Sequence, residues 1–268
     1  MNLLNYDQLP EWYKHNKYIN TGYRKITNNL YKCYLSIFNF HNETINIWSH
    51  LLGCIEFILL SIFTLYDDLI IYNKIILILY CGSISLCYLL STVYHTLKCH
   101  SCEIHSKCIL FDYLGIVFKM FGIALSGLYS YYYNYMILFF IYLTIITILL
   151  CMVTKQLYNF TLQDNIKSRT MLIGLIIAFS IIPIINARYI ADYEQYKIIT
   201  LSLCYKYIFY LFGGIAYAYQ FPESYIKYNF DFIGNSHNIM HVFVVIGATI
   251  YYYGIRNALI YLENSVQL

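Results

Sequence analysis

The feature that most restricts the fold of this chain is the stretch from residue 120 to residue 154, which contains no charged side chain. A helix that crosses the hydrocarbon core of a bilayer needs about 20 apolar residues, so this stretch is too long for one crossing. Tyrosines and one asparagine fill positions 131–135, and tyrosine is enriched at the level of the lipid headgroups. The pattern therefore predicts two membrane-spanning helices with a turn between them at 131–135.

The composition is that of a membrane protein along the whole chain. Charged residues make up 12% and hydrophobic residues 60%, whereas soluble domains average about 25% charged and about 45–50% apolar residues. The net charge of +3 gives no reason to expect a nucleic-acid partner. The cysteines are odd in number and lie mostly in or beside apolar runs, which is not the pattern of a disulfide framework. Residues 1–44 are polar, and we expect no cleaved signal peptide.

Seven segments are apolar enough to span a bilayer, so we predict an all-α membrane protein with seven transmembrane helices. The predicted spans are 45–65, 75–97, 108–130, 135–153, 170–186, 198–218 and 236–253. The fifth contains Pro183, which we expect to kink the helix rather than end it. The chain then divides into an N-terminal segment, 1–44, a transmembrane domain, 45–255, and a short tail, 256–268.

The loops predict the orientation, because cytosolic loops of membrane proteins are rich in Lys and Arg. The N-terminal segment and the loops on its side of the membrane carry eleven such residues, including Lys98, Lys167, Arg169 and Lys227, and the other side carries four. We therefore expect a cytosolic N-terminus and, with seven spans, a C-terminus outside.

This orientation places three histidines at the same depth. His237 and His241 are four residues apart, so they share one face of the seventh helix near its cytosolic end. His95 lies near the cytosolic end of the second helix. Three imidazoles are the ligand set of a catalytic zinc site with an open fourth position. We predict that these three histidines bind Zn²⁺, although each one alone is better explained by a hydrogen bond to a backbone carbonyl or a contact with headgroups.

Two further polar residues lie at nearly the same depth. Asp112 is about one turn into the third helix, and Ser91 lies one turn before His95 on the same helix face. We expect Asp112 to act as a general base on a water at the open position rather than as a fourth ligand. Ser91 is expected to help stabilise negative charge on a substrate oxygen.

Several motifs resemble those of the progestin and adipoQ receptor (PAQR) family, most closely its adiponectin-receptor branch. They occur in order along almost the whole chain: LPEW at 9–12, SIFNFHNETINIWSHLLG at 36–53, STVYHT at 91–96, CHS at 99–101, DYLGI at 112–116, IIP at 181–183 and SHNIMHVFVV at 236–245. The resemblance implies a cytosolic N-terminus and a zinc site. It places the zinc ligands on His95, His237 and His241, the family's aspartate on Asp112 and its serine on Ser91. The chain departs from the family pattern in its short N-terminal segment and in two added cysteines, Cys102 and Cys108.

The resemblance also implies a function, and two main classes of function stay open. The first is a ceramidase-like hydrolase that uses zinc to cleave a lipid amide, such as ceramide, and so acts in lipid homeostasis or signalling. The second is a receptor in which zinc is purely structural and the extracellular ligand is unknown. A third, a haemolysin-III-like pore former, rests on family relation alone.

Other polar residues have competing interpretations. The set Cys99, Cys102, His105 and Cys108 has the spacing of a second, closed zinc site. His41 and His50 are alternatives as ligands, but we expect headgroup contact for His41 and capping and packing for His50. Glu43 stands at a helix N-terminus, where a carboxylate is favoured, and is interpreted as structural.

Three charged residues fall near the middle of the bilayer: Glu56, Lys119 and Lys206. An unpaired charge there costs at least about 2.5–3.5 kcal/mol on insertion scales. We expect Glu56 to form a buried pair with one of the lysines, the alternative being a lysine that meets a fatty-acid carboxylate.

The predicted orientation can be tested at one glycosylation sequence, Asn42-Glu43-Thr44. Because a cytosolic asparagine does not meet the glycosylation machinery, we expect Asn42 to carry no glycan when the protein is made in eukaryotic cells. The measurement is the electrophoretic mobility before and after glycosidase treatment. A glycan on Asn42 would contradict the orientation and the common depth of the three histidines.

Overall fold

The computed structural model describes residues 3–161, 179–226 and 230–266, and these residues are helical apart from loops and one isolated bridge between Leu4 and Tyr23. The helices in chain order are α1 (Leu30–Leu35), α2 (Thr44–Tyr66), α3 (Ile71–Leu97), α4 (Cys102–Tyr131), α5 (Met136–Thr161), α6 (Ile181–Ile190), α7 (Tyr193–Tyr219) and α8 (Ser236–Val266). Short 3-10 helices lie at Tyr6–Gln8, Glu11–Tyr13 and Ser36–Phe38. The predicted all-α class is confirmed for the described part of the chain.

Six of these helices are long and apolar enough to cross a membrane: α2, α3, α4, α5, α7 and α8. The helix α6 is apolar but shorter. The predicted fifth span, 170–186, includes residues 170–178, which lie outside the described residues, as do Lys167, Arg169 and Lys227 from the count of basic residues. Pro183 stands in the first turn of α6, where a missing backbone N–H breaks no helical hydrogen bond.

Some helix boundaries agree with the predicted apolar runs, and others are set by polar contacts. The turn predicted at 131–135 is confirmed, since α4 ends at Tyr131 and α5 begins at Met136. In contrast, α4 begins at Cys102, six residues before the predicted span, because the Ser101 hydroxyl caps its first turn by accepting from the Ile104 N–H at 3.4 Å. The helix α8 continues to Val266, through most of the segment that we expected to be a tail.

Contacts along the chain define two compact units. The first unit comprises residues 1–54, 88–112 and 207–247, and so holds the N-terminal segment and the ends of α3 and α8 that carry the predicted site. Its core is a cluster of buried residues from the N-terminal segment and the end of α3, including Tyr13, Tyr23, Cys33 and Cys99. The N-terminal segment is therefore an integral part of this unit.

The second unit comprises residues 55–87, 113–206 and 248–268. Small residues allow its helices to approach closely, as is common in membrane proteins. A Cβ atom built on Gly254 of α8 would lie 2.1 Å from the Ser202 Cβ of α7. An ion pair between Arg256 and Asp67, with 2.5 Å between Nη2 and Oδ1, fixes α8 near the end of α2.

Two of the charged residues predicted near the middle of the bilayer have contacts that the sequence did not predict. Glu56 accepts a hydrogen bond from the Thr249 hydroxyl at 2.7 Å. The Lys206 ammonium lies over the Tyr251 ring, 4.4 Å from its centroid. Pairing of Glu56 with Lys119 or Lys206 stays a prediction.

The close approach of α7 and α8 predicts that Gly254→Ala destabilises the protein. The added methyl group meets Ser202 next to its backbone, so the helices must separate, and overpacking of this kind costs about 1–3 kcal/mol. The measurement is the thermal unfolding temperature in detergent micelles. Gly82→Ala in α3 is the matched control, because a Cβ there meets no atom of the described residues within 4 Å. A control that is destabilised as much as Gly254→Ala would contradict the packing explanation.

Candidate metal centre

The three predicted histidines come together in the first unit. Each of His95, His237 and His241 has one ring nitrogen within 4.8 Å of a nitrogen of the other two. The ring centroids are 4.7–5.0 Å apart. His95 and His241 are buried, and His237 is half-buried. Within the described ranges, this is the one group of three or more such side chains that could hold a metal ion.

The position of α8 is fixed by polar groups around its first turn. The Asn235 side chain accepts from the Asn238 N–H at 3.1 Å, which is an ordinary N-cap. In return, the Asn238 side chain accepts from the Gly234 N–H at 3.0 Å. The carboxylate of Glu223 accepts from the Ser236 N–H at 2.8 Å. These contacts hold the first turn of α8, which carries His237.

The end of α3 is held by a buried arginine. The Arg24 guanidinium donates to the backbone carbonyls of His95 at 2.5 Å and Thr96 at 3.0 Å, and to the Ser36 hydroxyl at 2.6 Å. The last carbonyls of a helix lack partners within the helix, and a cation is favoured beside them. Arg24 therefore links the N-terminal segment directly to the backbone of a predicted ligand, a role that the sequence did not reveal.

A buried carboxylate stands behind His95. Glu43 Oε2 lies 2.8 Å from His95 Nδ1 and accepts from Asn46 Nδ2 at 2.7 Å, while Oε1 accepts from Lys98 Nζ at 2.6 Å. Burial opposes ionisation of this carboxyl, but the Lys98 ammonium and the hydrogen bond with His95 outweigh it, and the pKa of Glu43 lies well below its usual range. The interpretation of Glu43 as a residue that merely favours a helix N-terminus was therefore incomplete.

The hydrogen bonds indicate which nitrogens are left for a metal. A carboxylate only accepts, so His95 Nδ1 carries the proton and its Nε2 bears a lone pair. His241 Nδ1 lies 3.3 Å from the Ser49 hydroxyl, which itself donates to the Asn46 carbonyl at 3.1 Å and so accepts from the imidazole. In both rings the hydrogen bond is made by Nδ1.

The residues present fit a zinc ion. His95 Nε2 is buried and has no hydrogen-bond partner among the described residues, and a buried polar atom left in this way is costly. Three neutral imidazoles are a common protein ligand set for catalytic zinc, and the ligating histidines of such sites usually donate their other N–H to a carboxylate or another acceptor.

The two other predicted site residues belong to the same unit but are not members of the histidine group. Ser91 is buried in α3, one turn before His95. Asp112 is half-buried in α4 and is not among the side chains that meet the metal-ligand distances. Both the expectation that Asp112 is not a ligand and its role as a general base stay predictions.

The two rival histidines have other contacts. His41 is fully buried, its Nε2 lies 3.0 Å from the Ser36 carbonyl and its Nδ1 accepts from the Glu43 N–H at 3.1 Å, so the predicted headgroup contact was wrong. Burial lowers the pKa of His41 to about 3, which keeps it neutral. His50 stacks on His241 with ring centroids 3.7 Å apart, which confirms its packing role.

The alternative zinc site after α3 does not assemble among the residues that the structure covers. Cys99 is buried with its Sγ 3.7 Å from Cys33 Sγ, whereas Cys102 is exposed. The His105 ring packs against Trp12 and stacks on His15. The metal-capable group of the described chain is the one formed by His95, His237 and His241.

Comparison with known proteins identifies the family. A family model described as haemolysin-III related matches residues 38–252, a range that includes all three histidines of the group. The chain belongs to the haemolysin-III-related family. Six long apolar helices and the relatives below make it an integral, multi-pass membrane protein.

The relatives carry the receptor names that the motifs predicted. The ADIPOR-like receptor IZH1 of Eremothecium gossypii is 28% identical over 97% of this chain and 86% of its own length. The adiponectin receptor protein of Drosophila melanogaster is 29% identical over 96% of this chain and 59% of its own length. Human progestin and adipoQ receptor family member 3 is 28% identical over 91% of this chain and 82% of its own length. The resemblance to the PAQR family is confirmed.

The hydrogen bonds of Arg24 predict that the N-terminal segment stabilises the first unit. Arg24→Met removes the charged donor from two buried carbonyls, and we expect the free energy of unfolding to fall by at least about 2 kcal/mol, since hydrogen bonds to charged groups contribute about 1.5–3 kcal/mol. The measurement is SDS-titrated unfolding in mixed micelles. Lys25→Met is the control, because Lys25 is the exposed neighbour. Equal stability of the two variants would show that the Arg24 contacts contribute nothing.

Proposed function

We propose that His95, His237 and His241 bind one zinc ion and that the protein is a zinc-dependent hydrolase of a lipid amide. The observation that carries this proposal is the buried group of three imidazoles, in which His95 Nε2 has no hydrogen-bond partner among the described residues. A buried nitrogen that accepts no hydrogen bond is costly, and a metal ion held between the three imidazoles would offset that cost.

The number of ligands favours catalysis. Structural zinc sites are almost always closed by four protein ligands, whereas catalytic sites have three and keep one position open. A zinc ion bound by three histidines supplies a Lewis acid and lowers the pKa of a bound water to about 7. The histidine group of this chain contains no fourth side chain from the described residues.

Two other residues of the chain take the proposed roles of general base and hydrogen-bond donor. Asp112 takes a proton from the attacking water, and Ser91 donates a hydrogen bond to the substrate oxygen as negative charge develops on it. The histidines stand on helices that are long and apolar enough to cross a bilayer, so a substrate that resides in the membrane can reach them without leaving it. A ceramide-like lipid amide, the substrate class that the family resemblance suggests, would yield a fatty acid and a sphingoid base.

The second candidate is a receptor in which zinc is structural. The names of the relatives, which include adiponectin receptor protein, favour it. In this function zinc would join the C-terminal end of α3 to the N-terminal end of α8, and its binding energy would stabilise the fold. The extracellular ligand of such a receptor would bind elsewhere on the chain.

The proposal also includes the orientation of the chain across the membrane. A cytosolic N-terminus, supported by the excess of Lys and Arg in the loops on that side, places the histidine group at the cytosolic face of the membrane. The glycosylation state of Asn42 tests this part separately.

Zinc content and lipid turnover measured on the same samples separate the two functions. We expect purified protein to carry one zinc ion, and His237→Ala to lose it together with thermal stability. Asp112→Ala is expected to keep the zinc and to lose hydrolysis of a fluorescent short-chain ceramide by about 10²-fold or more, the usual effect of removing a general base. Metal is measured by mass spectrometry and fatty acid by chromatography.

The matched control is Asp68→Ala, because Asp68 is an exposed carboxylate far from the histidines in sequence. It should keep both zinc and turnover. Zinc in the wild type with no turnover would favour the structural role, and full turnover by Asp112→Ala would remove Asp112 from the mechanism. A wild type purified without chelator and without metal would contradict the zinc site altogether.

A further inference from the structure

Glu43 has more polar contacts than a residue at a helix N-terminus requires, and one of them is with the histidine group. Its two oxygens are shared among three donors, which are His95 Nδ1 at 2.8 Å, Lys98 Nζ at 2.6 Å and Asn46 Nδ2 at 2.7 Å. The Glu43 side chain is 4% exposed and that of Lys98 is 8% exposed. A buried carboxylate is tolerated only where it is paired and hydrogen-bonded in this way.

The chemistry of the donors fixes the state of the imidazole. The Lys98 ammonium and the NH₂ group of the Asn46 side chain only donate, so the carboxylate between them must act as an acceptor on every side. His95 Nδ1 is then obliged to carry the ring proton, which leaves the lone pair on Nε2. This is the tautomer in which His95 presents Nε2 to a metal.

The same network extends to α8. The Asn46 side chain, which donates to Glu43 with its nitrogen, accepts with its oxygen from Asn238 Nδ2 at 2.7 Å. Asn238 lies directly after His237 in the first turn of α8. Glu43 therefore contacts one ligand-bearing helix directly and the other through a single side chain.

We propose that Glu43 is a positioning residue of the metal centre, which holds His95 in the Nε2-ligating tautomer and couples it to α8 through Asn46 and Asn238. This inference rests on the proposed zinc site and adds to it a residue that orients a ligand without touching the metal. A carboxylate behind a ligating histidine also raises the basicity of the imidazole, and loss of such a partner typically weakens metal binding about 10–100-fold.

Glu43→Gln is the informative substitution, because it keeps the shape and replaces one acceptor by an NH₂ donor. The glutamine oxygen can face either Lys98 or His95, and in the first case its NH₂ group faces His95 Nδ1. His95 would then move its proton to Nε2 and stop being a ligand. We expect zinc affinity, measured by competition with a chromogenic chelator, to fall about 10–100-fold. In the cobalt-substituted protein, we expect the visible absorption of Co²⁺ to change as one imidazole is lost or displaced.

Glu223→Gln is the matched control. Glu223 is also a buried carboxylate of the first unit, and it accepts from the Ser236 hydroxyl and backbone N–H and from Asn16. These contacts hold the start of α8 without involving any of the three imidazoles. We expect Glu223→Gln to lower thermal stability equally with and without zinc, whereas Glu43→Gln should reduce the stabilisation that zinc adds.

The outcomes separate this inference from the proposed function. A wild type that binds neither zinc nor cobalt overturns the zinc site and the inference with it. A wild type that binds both, with Glu43→Gln unchanged in zinc affinity and cobalt spectrum, overturns the positioning role alone. If Glu43→Gln does not fold, Glu43→Asp decides, since its shorter carboxylate still only accepts but no longer reaches both partners. Full affinity and an unchanged spectrum in that variant contradict the proposal, and reduced affinity with the spectrum of three imidazoles supports it.

Discussion

The interaction on which the histidine group depends is the buried ion pair of Glu43 and Lys98. A carboxylate in this position is stable only because an ammonium, an amide and an imidazole all donate to it. The same contacts draw together the start of α2 and the end of α3. With Asn46 bonded to Asn238, the first turn of α8 joins them. The charge pair thus organises the helix ends from which the three histidines project.

The membrane-spanning helices could be predicted because a bilayer imposes a minimum apolar length on any helix that crosses it. Some of their ends were predicted as well, such as the turn between α4 and α5. Others were not, because a helix ends where its backbone finds other partners and not where the bilayer ends. Ser101 caps α4 seven residues before its predicted apolar run begins. The pair of Arg256 with Asp67 lies in the polar continuation of α8 beyond its apolar run. Both contacts depend on residues that a hydropathy average treats as outside the helix.

The three histidines were predictable for a different reason. The spacing of His237 and His241 sets a shared helix face, and the charge of the loops gave the depth of His95. Glu43 and Arg24 were missed because their partners are distant in sequence. His95 is 52 positions after Glu43 and 71 after Arg24. A signal did exist, since Glu43 and Lys98 carry opposite charges and lie beside two predicted spans, at ends that the loop charges assign to the same side of the membrane. Depth alone would have paired them.

The order of the chain has a consequence for how the protein is made. His95 lies in the second long helix, and its two companions lie in the last. During synthesis, all the intervening helices must enter the membrane before the first turn of α8 is available to close this long loop. Until then, His95 lacks the two imidazoles, His237 and His241, that lie beside it in the folded protein. The histidine group can therefore form only in a chain that has been inserted as far as α8.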